Sequence, residues 1–203
     1  MQTGPQYAGG VREASFDPLV GGATARARLR VAIARPGAPL PFGDHALAVP
    51  PPALRPACAL LLSVLDRDVT FHVTGGPPAP EIREYLRFNS GARAVDPLDA
   101  DFVLVLGCTA GATLEAIITR GSGPAADGVR VVYAPRTLRL GGGGDDVVLT
   151  VTSSAAEERR LWVAGMLADD LRRLGACSGV DVWLASADGR LAVLPRRTTW
   201  RAA

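Results

Sequence analysis

The stretch ADFVLVL at residues 100–106 decides the fold class, because it is a nearly continuous apolar run. Runs of this kind are typical of strands that are buried on both faces of a sheet. A shorter run, VTFHV at residues 69–73, predicts a second buried strand, and residues 129–133 and 147–151 predict two more. The chain therefore contains a sheet, whose strands are separated by segments with a different periodicity.

Apolar residues spaced by three and four positions predict helices between the strands. The chain closes with a predicted hairpin, in which the turn Asp188-Gly189 joins strands at residues 180–185 and 191–194. The predicted helices span residues 19–35, 53–65, 81–88, 109–120 and 155–174, and the last of them places Leu161, Ala164, Leu167, Leu171 and Leu174 on one face.

A run of four glycines, Gly141 to Gly144, lies between the predicted strands at residues 129–133 and 147–151. No GxGxxG spacing accompanies it, so it is interpreted as the tip of a flexible hairpin and not as a phosphate loop. Together the elements predict an α/β fold: a flexible leader at residues 1–15, followed by one domain at residues 16–203 with a mixed sheet and helices on both faces.

Composition narrows the function. The chain has 203 residues, of which 48% are hydrophobic and 21% charged, and its net charge is only +2. This balance is typical of a globular domain and lacks the basic stripe of a nucleic-acid-binding protein. All 22 cationic residues are arginines. The absence of lysine excludes an internal aldimine with pyridoxal phosphate and a Walker-type phosphate loop, and no cofactor is expected.

The three cysteines, Cys58, Cys108 and Cys177, are widely spaced, and the two histidines are His45 and His72. No zinc spacing is present, so no metal site is expected, and an odd cysteine count favours a reducing compartment. The sequence has neither a signal peptide nor an apolar run near the roughly 20 residues that span a bilayer. These features predict a cytoplasmic protein.

Cys108 follows the strand at residues 100–106, at the possible start of a helix. A helix N-terminus lowers the pKa of a thiol, which allows a catalytic role; the alternative is a small residue packed at a strand end. No nearby histidine is tied to this thiol, and no carboxylate pair has a spacing that favours acid–base chemistry. We therefore assign no catalytic residue.

A cluster of hydrogen-bond donors follows the last predicted strand, after Pro195. Two guanidinium groups and two hydroxyl groups in succession can bind phosphate oxygens or a carboxylate of a partner protein. The alternative is a solvated edge, at which the proline turns the chain outward. The cluster comprises Arg196, Arg197, Thr198 and Thr199.

Several stretches, taken in order, resemble the PhnH family, the H subunit of the bacterial carbon–phosphorus lyase system. The resemblance extends over residues 16–199 and rests on the order and spacing of the stretches. They are Phe16-Asp17-Pro18, Ala34-Arg35-Pro36-Gly37, Leu61 to Asp66 with the following VTFHV, Tyr85-Leu86-Arg87-Phe88, and Gly179-Val180-Asp181-Val182 with residues 191–199.

The resemblance implies a three-layer α/β/α fold similar to the pyridoxal-phosphate-dependent transferases, without the cofactor. It also implies partnership with the G, I and J subunits of the lyase core, which is linked to forming ribose 1-phosphonate 5-triphosphate from ATP and a phosphonate. By this resemblance, the chain contacts ATP and phosphonate only as part of the complex. The chain itself is expected to be a non-catalytic subunit of this multi-subunit transferase, with a homodimer as a further possibility.

Arg87, Phe88 and Asn89 are candidate interface residues by this resemblance, and Asn89 stands where the family often has histidine. The segment Pro-Arg-Thr-Thr of the family contains an extra arginine here. Two other functions stay open. One is a free-standing enzyme acting on a phosphorylated small molecule through Cys108 or residues 196–199, and the other is a diverged scaffold on the same fold.

Overall fold

The structure is a computed structural model of the chain. It describes residues 20–43, 47, 51–107, 111–122, 128–142, 146–152, 158–166, 168–177 and 179–203. The leader expected at residues 1–15 lies outside this part of the chain, as do Cys108 and His45. None of the described helices is long and apolar enough to cross a lipid bilayer.

Helices and strands alternate through the first half of the described chain. The helices are α1 (Val20–Ala34), α2 (Arg55–Leu62), α3 (Ala79–Ser90), α4 (Gly111–Gly121) and α5 (Ala168–Gly175), and a short 3-10 turn at Pro52–Leu54 leads into α2. The strands are β1 (Leu40–Pro41), β2 (Thr70–Thr74), β3 (Arg93–Ala94), β4 (Phe102–Val105), β5 (Val129–Tyr133), β6 (Thr137–Arg139), β7 (Val147–Thr152), β8 (Glu158–Ala164), β9 (Val180–Ala185), β10 (Arg190–Leu194) and β11 (Thr199–Ala202).

Seven strands form the main sheet, in the order β1-β10-β9-β5-β4-β2-β3. Its centre, from β9 through β5 and β4 to β2, is parallel, whereas β10 runs antiparallel to both of its neighbours, β9 and β1. The predicted mixed sheet is therefore confirmed. All four residues of β4 are buried, as the apolar run predicts for a strand covered on both faces.

The main sheet separates two hydrophobic cores. One face packs against α1, α2 and α3, where Leu29, Leu60 and Ile82 are buried. The opposite face packs against α4, α5 and a second sheet, with Ile117 and Leu171 buried there. The helices thus lie on both faces, as predicted, and the side of α4 and α5 is shared with strands.

The second sheet was not predicted. It is antiparallel and has the order β11-β7-β8-β6. Alternate residues of β7 are buried, so one side of this sheet belongs to the second core and the other side faces outward.

The predicted helix at residues 155–174 is wrong. Residues 158–164 form β8, which pairs with β7 over six residue pairs, and among the described residues of the predicted span the helix is confined to residues 168–174, which belong to α5. Leu161 and Val163 are both buried, two residues apart, while Arg160 is exposed, which is the alternation of a strand. The three- and four-residue spacing of the leucines was a coincidence that β-pairing overrode.

The predicted hairpin between residues 129–133 and 147–151 is also wrong, because β5 and β7 belong to different sheets. The intervening β6 pairs with β8, and the glycine run follows it. Gly142 packs against the indole of Trp162: a Cβ atom at this glycine would lie 2.7 Å from the ring atom Cδ1. Residues 143–145 lie outside the described chain.

The C-terminal hairpin is confirmed. Leu191 pairs with Ala185 and Leu194 with Val182, and the turn between the strands contains Asp188 and Gly189. The predicted helices at residues 19–35 and 81–88 correspond to α1 and α3, and residues 53–65 contain α2 and the last two residues of the 3-10 turn. The part of the predicted helix at residues 109–120 that is described corresponds to α4.

Candidate functional site

The main sheet has a topological switch point at the carboxyl ends of β2 and β4, which are neighbouring parallel strands. The chain leaves β2 towards α3 on one face of the sheet and leaves β4 towards α4 on the other. Adjacent connections that diverge in this way open a gap between them, and open α/β sheets bind their ligands at such points. The topology therefore marks this edge of the sheet as the crevice of the fold.

Glycines line the crevice. Gly75 and Gly76 follow β2 with φ values of 89° each, and Gly107 follows β4 with φ 109°. These left-handed conformations favour glycine, since a side chain would be strained there. A Cβ atom at Gly107 or Gly111 would meet no atom within 4 Å, so the space beside these residues is open.

Residues 75–78 were not singled out from the sequence, and this crevice was missed. The signal was the glycine pair directly after a buried strand, which gains meaning only when the partner strand is known. Cys108, the candidate thiol, belongs to the segment between β4 and α4 and lies outside the described residues.

The cluster at residues 196–199 lies at the opposite end of the main sheet. The backbone N–H of Arg196 donates to Oδ1 of Asp181 on β9 at 2.8 Å. The guanidinium group of Arg196 packs over Gly128, which directly precedes β5. These contacts place the cluster at the amino ends of β5 and β9, away from the crevice at the carboxyl ends of β2 and β4. The two regions do not form one site.

The sequence predicts that the chain turns outward after Pro195, and the structure shows that it does not. The N–H of Thr198 donates to the Pro195 carbonyl at 2.8 Å, and this turn carries the chain from the main sheet into β11. Thr199 pairs with Thr152 of β7. Within the cluster, Arg197 and Thr199 are exposed and Arg196 and Thr198 are half-buried.

The candidate interface residues lie at the C-terminal end of α3. Arg87 forms a hydrogen bond and an ion pair with Glu84 at 2.9 Å, and Asn89 donates to the carbonyl of Tyr85 at 2.8 Å. Phe88 is 62% exposed, although it is a large aromatic residue. An exposed aromatic beside an arginine is the composition of many interaction hot spots.

The described thiols and the described histidine have structural contacts. Burial raises the pKa of the Cys58 thiol to about 12, so this group stays protonated at neutral pH. The Sγ of Cys177 lies 3.8 Å from the carbonyl oxygen of Ile118. The Nδ1 of His72 lies 2.8 Å from the carbonyl oxygen of Val95. In the part of the chain that the structure describes, no group of three or more His, Cys, Asp or Glu residues could hold a metal ion.

A search of curated proteins found no match to the chain. The family model of the bacterial phosphonate metabolism protein PhnH matches residues 23–125, just over half of the chain. This range contains both strands of the crevice and the candidate interface residues of α3, and it ends before the cluster at residues 196–199. The chain belongs to the PhnH family and takes part in bacterial phosphonate metabolism.

Proposed function

We propose that the chain is an accessory, non-catalytic subunit of the carbon–phosphorus lyase core complex. Its partners are subunits of the G, I and J types, and the complex forms ribose 1-phosphonate 5-triphosphate from ATP and a phosphonate. The observation that carries the proposal is membership of the PhnH family. The chain meets ATP and phosphonate through the complex, in the cytoplasm, and works without a cofactor of its own.

The placement of the reactive groups supports an accessory role. A nucleophile needs a base within hydrogen-bond reach of about 2.6–3.2 Å. Cys58 is fully buried on α2 with a raised pKa, and the ring of His72 is engaged with a backbone carbonyl. The side chains of Cys58 and His72 therefore have structural surroundings, which supports a role in the fold.

The surface features support contacts with other proteins. On α3, the exposed ring of Phe88 lies between Arg87 and Asn89, and we propose that this segment packs against a neighbouring subunit. At the other site, Arg197 and Thr199 are exposed and can reach a phosphate or a partner carboxylate. Arg196 and Thr198 shape the turn that presents them.

The test is reconstitution. The tagged chain is co-expressed with untagged G-, I- and J-type subunits of the same bacterium, and we expect all four to co-purify in fixed proportion. The full complex with its ATPase-like subunit should release adenine from ATP when methylphosphonate is added, and the chain alone should not. Replacement of Cys108 by serine should leave that activity unchanged. Turnover by the lone chain, or failure to co-purify, would overturn the proposal.

A further inference from the structure

The outer side of the second sheet carries three arginines around a tryptophan. Arg139 lies on β6, Arg160 and Trp162 on β8, and Arg201 on β11, and Thr150 of β7 lies among them. We call these five residues the arginine face. They alternate along their strands with buried residues, so they project away from the second core.

The pairing register places the five residues next to one another. Thr150 pairs with Arg160 on one side and with Arg201 on the other, so these three form one row across the sheet. In the adjacent row, Trp162 pairs with Val148 and with Arg139. Side chains of directly paired residues stand on the same side of a sheet, about 4.5–5.5 Å apart at Cβ. In this register the three arginines therefore occupy strand positions around the single tryptophan.

The tryptophan is held in place. Trp162 is half-buried, and the backbone of Gly142 packs against its indole, which fixes the ring at the surface. Leu140 directly follows β6 and is 59% exposed. Tryptophan and arginine are the residues most enriched in interaction hot spots. A fixed aromatic ring with arginines around it has the anatomy of a protein interface centre.

The carboxylates that the structure describes on this side lie at its ends. Glu158 occupies the first position of β8, 3.6 Å from the guanidinium group of Arg201, and the side chain of that arginine is 80% exposed. Asp146 directly precedes β7. The guanidinium group of Arg139 contacts the hydroxyl of Thr137 at 3.3 Å. The two central rows carry three positive charges and no strand carboxylate, so their surface is positive.

We propose that the arginine face is the docking surface for an acidic surface of a partner protein. Guanidinium groups bind carboxylates through two parallel hydrogen bonds, and a flat sheet face fits a protein surface better than a small molecule. A second copy of the chain would oppose the same arginines face to face, which like charges disfavour. Three arginines on a chain of net charge +2 are few for nucleic acid, whose binding needs a larger basic stripe.

The partner tested is a subunit of the lyase core, and in this respect the inference rests on the proposed function. The double variant Arg139→Glu/Arg160→Glu reverses two charges and leaves the ion pair of Arg201 and Glu158 intact. The control is Arg30→Glu/Arg93→Glu, which reverses two exposed charges on α1 and β3. Both variants should keep the melting temperature and circular dichroism of the wild type.

The measurement is affinity for the purified complex of the G-, I- and J-type subunits by biolayer interferometry, at low and at high salt. We expect at least tenfold weaker binding for the double variant and no change for the control. Wild-type affinity should fall as salt rises, and the variant should show a smaller salt dependence.

Each other outcome overturns a different statement. If the wild type binds the subunits and the double variant binds equally well, the arginine face is not the docking surface and the proposed function stands. If the variant loses only self-association, or only affinity for a single-stranded oligonucleotide, then the arginine face binds a second copy of the chain or a nucleic acid, and the proposed acidic protein partner is wrong. If the wild type binds none of the subunits, the proposed function is overturned and this partner with it.

Discussion

Thr70 and Asp101 bind each other at the starts of β2 and β4. The backbone N–H of Thr70 donates to Oδ2 of Asp101 at 2.9 Å, and the Thr70 hydroxyl lies 2.8 Å from the same oxygen. The backbone N–H of Asp101 in turn donates to the Thr70 carbonyl at 3.1 Å. Arg120, from the last turn of α4, lies 3.3 Å from the other carboxylate oxygen. This network fixes two neighbouring strands and a helix at one edge of the main sheet.

The carboxylate of Asp101 should make stability depend on pH. Partial burial raises the pKa of this carboxyl group. The hydrogen bonds from Thr70 and the positive charge of Arg120 lower it by a larger amount, so the pKa lies below its usual value. The ionised carboxylate of Asp101 adds to the free energy of unfolding above the unfolded-state pKa of about 4. This stabilisation is lost as the pH falls through the lower folded-state pKa. Asp101→Asn should destabilise the protein by about 1 kcal/mol at neutral pH, with a smaller difference in acid.

Urea unfolding at neutral pH and at about pH 3 checks this prediction. Asp99→Asn is the matched control, since Asp99 is exposed and contributes its backbone carbonyl to Thr70. A difference between Asp101→Asn and the wild type that widens as the pH falls would show that the carboxylate does not stabilise the fold.

Gly179 should tolerate no side chain. A Cβ atom there would overlap the carbonyl oxygen of Gly121, which ends α4. Gly179→Ala should therefore destabilise the protein by roughly 2 kcal/mol or more, because backbone must move to relieve the contact. Gly111→Ala is the control: its Cβ would meet no atom within 4 Å, so the change should stabilise α4 by about 0.4–1 kcal/mol. Thermal unfolding compares them, and equal melting temperatures would contradict the predicted contact.

Cys58 should be inert in the folded protein. It is fully buried, and burial raises its pKa to about 12, so almost no thiolate forms at pH 8. Iodoacetamide should label Cys58 only after denaturation, as read by peptide mass spectrometry. The same peptide labelled in urea is the control. Rapid labelling under native conditions would show that α2 opens or that the thiol is accessible.

Individual replacement of Arg196 and of Arg197 should have different effects on stability. The side chain of Arg196 packs over Gly128, whereas that of Arg197 is exposed. Arg196→Ala should lower the melting temperature, and Arg197→Ala should leave it unchanged because exposed charges add little to stability. If residues 196–199 bind a partner carboxylate or a phosphate, Arg197→Ala should weaken that contact about tenfold.

Two affinities are measured for each variant. One is its affinity for the core subunits, and the other is the affinity of the complex assembled with that variant for an ATP analogue. Thr198→Ala is a control within the same turn, where the backbone N–H and not the side chain closes the turn on Pro195. Unchanged affinity of Arg197→Ala for both ligands would assign this segment to the solvated surface.

Part of the fold could be predicted because local patterns there agree with tertiary packing. The apolar run of β4, the helix-forming segment at residues 19–35 and the Asp188-Gly189 turn each specify one conformation, and the structure contains all three. Such segments are strongly patterned, and the mixed sheet follows from their alternation. The family resemblance, too, rested on collinear stretches and was confirmed over residues 23–125.

The sequence also determined chemistry that no fold could change. A chain of 22 arginines without lysine can form no internal aldimine, whatever its shape. Residue identity alone fixes which functional groups exist, and the position of those groups in space is a separate matter.

Only the tertiary structure decided the second sheet and the location of the candidate sites. Residues 158–164 have both a helical and a strand pattern, and pairing with β7 selected the strand by supplying backbone hydrogen bonds that a helix would have made internally. The divergence of the chain after β2 and β4 opened the crevice, and the return of β10 placed Arg196 at the opposite edge. These relationships join residues far apart in the chain, so no local pattern encodes them.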